Sequence, residues 1–117
     1  MQQIIQLILF LNGIYDIICS LCILFDLKNK IHFLHPNIFL NNDDKRLNRL
    51  LAFWIFTYGI IRLYAGFNSQ FIIFASITYF IEAFYFLYEL YLNTTNSEKA
   101  IFVIIFSFIL GMITCVM

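Results

Sequence analysis

The chain has 117 residues, enough for one domain, with no net formal charge and 12% charged residues, about half the share of an ordinary soluble domain. That balance excludes a nucleic-acid binder, which needs a basic face. Apolar residues make up 62%, with 15 Phe and 7 Tyr, and the mean hydropathy is +0.87. Most of the chain falls in apolar stretches of about 20 residues, the length that crosses a bilayer. The expectation is an all-α integral membrane four-helix bundle forming one domain over residues 1–117.

The first apolar run, about residues 4–25, has no basic leader and no small-residue cleavage site, so it reads as a retained membrane helix. Asn12, Asp16, Cys19 and Ser20 recur on it at helical spacing, with Gly13 beside them. Lipid cannot satisfy a carboxylate, so this face is expected to point inward.

Residues 26–48 form a basic connection. Lys28, Lys30, Asp43, Asp44, Lys45 and Arg46 bracket the apolar piece Ile31 to Leu40, which is too short to span and contains Pro36. Proline kinks or starts a helix, and the piece is read as an interfacial segment. His32 and His35 within it make at best a weak metal pair, with headgroup contact the plainer reading.

The second helix is expected over about 47–67, with Tyr58, Arg62 and Ala65 or Gly66 on one face. Gly66 to Gln70 is a short turn into a third helix over about 71–92, so these two form an antiparallel hairpin. Ala75, Tyr79, Glu82, Phe86 and Glu89 lie along one stripe of the third helix. A polar loop leads to a fourth helix over about 100–117, where Ser107, Gly111 and Thr114 give a small-residue stripe suited to helix packing. Lys28, Lys30, Lys45, Arg46 and Arg49 lie between or beside the first two helices and Lys99 before the fourth, while the connections on the opposite side carry no Lys or Arg, so the positive-inside rule places the first and third connections in the cytoplasm and both termini on the other side. On that topology the sequon Asn93-Thr-Thr95 stays unmodified.

Arg62 carries the sharpest signal. An arginine within an apolar helix costs several kcal/mol unless it snorkels or meets an acid. It lies about five residues, or about 7.5 Å, past the middle of its helix, within reach of Asp16 and Glu82 at similar depth. One reading is a proton or ion pathway in an oligomer. The other is a structural ion cluster that fixes helix register, favoured here because the bundle is small and has no repeat or interrupted helix. Two acids against one base leave one negative charge over, met by protonation or by a partner's cation. Glu89 sits near the depth of the basic connection, where pairing with Arg46 or Arg49 competes with contact to a partner. The residues expected in the buried polar cluster or in docking are therefore Asp16, Arg49, Trp54, Tyr58, Arg62, Glu82 and Glu89.

Catalytic chemistry has little support. Cys19-Ser-Leu-Cys22 has Cys-x-x-Cys spacing but lies in an apolar helix with no second pair, which suits packing residues. No Glu-x-x-His di-iron pattern, phosphate loop or nucleophile elbow occurs. Tyr79, Tyr85, Tyr88 and Tyr91 are explained by interface belts and helix packing. No enzyme activity, metal or cofactor is expected.

Arg49, Trp54 and Arg62, at their spacing, resemble the corresponding helix of a small endoplasmic-reticulum scaffold family of sterol biosynthesis, ergosterol biosynthetic protein twenty-eight. Phe84-Tyr-Phe-Leu-Tyr-Glu89-Leu is similar to that family's third helix, and Ile109-Leu-Gly111-Met to its last. Tyr85 and Tyr88 stand where the family has a histidine and a serine, and Asp16 and Glu82 have no counterpart in its pattern. The resemblance covers about residues 46–117 and implies a non-catalytic scaffold whose helix faces gather sterol-demethylation enzymes. Asn12-Gly-Ile-Tyr-Asp16 and the residues after it also look like small multi-span proteins of large DNA viruses, which would imply a structural component of a virion membrane. Partners on these readings are the bilayer and other membrane proteins, as an accessory subunit or a homo-oligomer.

Overall fold

The computed structural model describes residues 2–25, 38–40 and 44–116. The described residues form α1 (Gln2–Leu24), α2 (Lys45–Phe67), α3 (Ile72–Tyr91) and α4 (Ser97–Cys115), with a single 3-10 turn at Ser69–Phe71 leading into α3. All four are long and apolar enough to cross a membrane. The expected interfacial segment up to residue 37, with Lys28, Lys30, His32, His35 and Pro36, lies outside the described residues, as does Asp43.

The helix ends depart from the expected ones for a physical reason. Apolar borders were read as helix borders, yet polar first turns belong to the helices. Asp44 caps α2, its carboxylate accepting from the Arg46 and Leu47 amides at 3.0 and 3.3 Å, so α2 starts at Lys45. Asn96 caps α4 in the same way through the Lys99 amide at 3.3 Å. The helix therefore begins at Ser97, three residues before Ala100. Asn93, in left-handed backbone at φ 60°, ends the third helix and turns the chain.

The first and third connections meet. Phe39 and Thr95 form an isolated bridge, Leu40 donates its amide to the Thr94 carbonyl at 2.9 Å, and Asn96 donates to the Ile38 carbonyl at 2.7 Å. Ile38 then packs with Phe86 and Ala100. Both connections thus lie at one end of the bundle, the loop end, and the Asn68 turn lies at the other.

α1 packs along α2, α3 along α4, and the hairpin joins α2 to α3. The α1–α2 contact is backbone on backbone: a Cβ on Gly13 would lie 2.5 Å from the Leu63 amide nitrogen and 2.8 Å from the Gly59 carbonyl oxygen. Only glycine permits that approach, and in lipid such close packing drives helix association. Cys19 and Cys22 are free thiols packed beside Ile23, Ala52 and Ile55. Facing outward are Leu7, Ile18, Phe53, Phe84, Tyr88, Phe102 and Ile109, the surface that hydrocarbon solvates.

Candidate functional site

The close α1–α2 contact sets the depth at which Asp16 and Arg62 meet. Asp16 lies three residues after Gly13 and Arg62 three after Gly59, and with the helices in backbone contact the two side chains reach each other directly. Arg62 Nη1 donates to Asp16 Oδ2 at 2.5 Å, and Nη2 donates to Glu82 Oε2 at 2.6 Å. Nε donates to the Thr78 hydroxyl at 3.0 Å, and that hydroxyl donates onward to the Ala75 carbonyl at 2.6 Å. All three nitrogens of the guanidinium are engaged. Its flat face is covered by the Tyr79 ring, 3.9 Å from centroid to Cζ, with the Tyr58 ring at 5.4 Å. Asp16, Arg62 and Glu82 are 3%, 2% and 6% exposed. One side chain of α2 thereby binds α1 and α3 together.

The expected triad is brought together; the wider set divides in two. Thr78, Tyr79 and Asn12 complete the cluster, the Tyr79 hydroxyl donating to the Asn12 carboxamide oxygen. Thr78 was not singled out in the sequence, although it precedes Glu82 by one helical turn and so shares its face. Arg49 stays exposed at the start of α2, about 20 Å along the helix from Arg62. Glu89 does not pair with Arg46 or Arg49 among the described residues. Its carboxylate accepts the Thr94 hydroxyl instead, and its carbonyl accepts the Thr94 amide at 3.2 Å. The reason is the turn at Asn93, which folds Thr94 back over the end of α3.

Trp54 belongs to an aromatic ladder, which Tyr58 connects to the ion cluster. The Trp54 and Tyr58 rings meet edge to face at 5.0 Å, and Trp54 meets Tyr85 at 5.3 Å and Phe86 at 6.2 Å. At the loop end this ladder walls a groove of about 550 Å³ lined by Phe39, Asp44, Trp54, Tyr85 and Glu89. On α4, Ser107, Gly111 and Thr114 are all buried. The Gly111 carbonyl accepts the Ser76 hydroxyl at 3.0 Å, and the Phe80 ring lies 3.1 Å from where a Gly111 Cβ would stand. The small-residue stripe thus faces α3.

A second cleft, about 660 Å³, separates α1 from α4, with Asp16, Arg62, Tyr79 and Glu82 on its floor. No group of three or more His, Cys, Asp or Glu residues able to hold a metal occurs among the described residues. The arrangement is suited to holding helices in register and presenting surfaces, with the one base hydrogen-bonded to both acids.

A family model described as Erg28 like protein matches residues 5–115. No curated protein and no solved structure matches the chain. The match takes in residues 12–24, on which the viral likeness rested, and nothing found supports that likeness.

Proposed function

This chain belongs to the Erg28-like family, and from that premise we propose that it is a non-catalytic scaffold of the endoplasmic reticulum that tethers sterol-biosynthesis enzymes through its helix faces. Membership in the family fits a membrane protein of sterol biosynthesis in general terms. The observation that supports the finer reading is that one base bonds both acids across three helices. Arg62 spends its donors on Asp16, Glu82 and Thr78, so the cluster works as a clamp between helices. A conduction path through the cluster would have to break and remake these bonds in each transport cycle.

Docking then falls to the periphery. The loop-end groove, with aromatic walls from Trp54 and Tyr85 and acidic groups from Glu89 and Asp44, suits a basic and aromatic segment beside a partner's membrane helix. On the positive-inside orientation this groove opens at the cytoplasmic surface.

Affinity purification in mild detergent, with the eluate identified by mass spectrometry, tests the proposal. Recovery of several sterol-pathway enzymes is the expected result. Recovery of a bare homo-oligomer that passes protons in liposomes would overturn it in favour of a conducting bundle.

A further inference from the structure

The α1–α4 cleft has the makings of a binding site for a small molecule. Its walls are apolar, from Ile8 and Leu11 on one side and Phe102 and Phe106 on the other, and its floor is polar. At membrane depth, polar groups opening sideways toward hydrocarbon go unsatisfied unless something covers them. Asn12 is the telling residue. It is half-buried in the cleft lining and uses its carboxamide oxygen on the Tyr79 hydroxyl, while its two N–H donors meet no acceptor among the described residues.

The dimensions choose among occupants. A transmembrane helix, about 10 Å across and 30 Å long, displaces roughly 2,400 Å³. The cleft holds about 660 Å³, within the range of roughly 300–1,000 Å³ that takes one small organic molecule. The lining carries three carboxylates, Asp16, Glu82 and Glu98, against two cations, Arg62 and Lys99, a balance that disfavours an anionic head. A hydroxyl both accepts and donates, so it can take an Asn12 N–H and give its own proton to the Tyr79 phenol oxygen, a donation that an ether cannot make. We propose that the cleft binds one neutral, hydroxyl-bearing lipid, with its hydroxyl at Asn12 and Tyr79 and its apolar body between Leu11 and Phe106. This site does not depend on which proteins meet the outer faces.

The probe is a long-chain saturated alcohol carrying a diazirine and an alkyne, added to phosphatidylcholine vesicles that hold the full-length protein. Photolabelling is expected to concentrate on the α1 and α4 peptides that contain Leu11 and Phe106. Unlabelled alcohol in excess should suppress it, whereas the corresponding methyl ether and fatty acid anion should compete about fivefold less well, the scale of one lost hydrogen bond. Asn12→Leu, which removes the polar contact, and Phe106→Trp, which narrows the cleft, should each lower labelling by about fivefold. Circular dichroism checks that both variants fold, and the competition series on the native protein stands without them. Labelling spread evenly over all outward faces would overturn the proposal. So would a methyl ether that competes equally.

Discussion

Gly13 of α1 rests on the backbone of Leu63 in α2, so close that a Cβ would lie 2.5 Å from the Leu63 nitrogen. This contact brings Asp16 within 2.5 Å of Arg62. Gly13→Ala should therefore force the helices apart and cost about 1–3 kcal/mol, and it should also loosen the ion cluster. Gly111→Ala meets only the far edge of the Phe80 ring, at 3.1–3.2 Å, and should cost less. Thermal unfolding in detergent gives the ranking, Gly13→Ala below Gly111→Ala.

The cluster itself makes an asymmetric prediction. Arg62→Met leaves Asp16 and Glu82 buried together without their shared base and should destabilise by about 3–5 kcal/mol. Replacing all three together, with Asp16→Leu, Arg62→Met and Glu82→Met, removes every buried charge of the triad. That triple variant should lie within about 1 kcal/mol of the native protein, because apolar replacement of a buried ion cluster is often neutral. Equilibrium unfolding in mixed micelles distinguishes the two.

Tyr79 carries two separable roles. Tyr79→Phe keeps the ring over Arg62 and loses the bond to Asn12, for about 1 kcal/mol. Tyr79→Leu also loses the ring, and should cost roughly 1–2 kcal/mol more. The same unfolding assay measures the difference.

The topology is open to chemical mapping. Single cysteines at Asn93 and Leu40, which lie together at the loop end, should react with an impermeant maleimide from the same side of a sealed microsome, in a background with the native cysteines replaced. A cysteine at Gln70 should react from the opposite side. The positive-inside orientation makes the first pair cytoplasmic.

Much of this was readable in the residues. The four spans, the hairpin at Asn68 and the meeting of Asp16, Arg62 and Glu82 follow from apolar run length and from the cost of a lone charge in lipid. What stayed hidden had other causes. The start of α4 was placed late because Ser97, Glu98 and Lys99 are polar, and a capped first turn has no apolar signature. Glu89 meets Thr94 because the left-handed Asn93 folds it back, a turn geometry that depth along a helix does not reveal. The Gly13–Gly59 contact left a trace, each glycine standing three residues before a member of the ion pair. That matched spacing becomes meaningful once the two helices are known to be neighbours.

We propose that the buried cluster clamps the fold while the loop-end groove recruits partners, and this division of labour is open to experiment. It is tested most directly by quantifying co-purified sterol-pathway enzymes for three proteins: the native chain, the triple apolar variant of the cluster, and Trp54→Ala with Glu89→Lys in the groove. The triple variant should keep its enzymes, and the groove variant should lose them while remaining folded. Loss of enzymes from a folded triple variant, with full retention by the groove variant, would contradict the proposal.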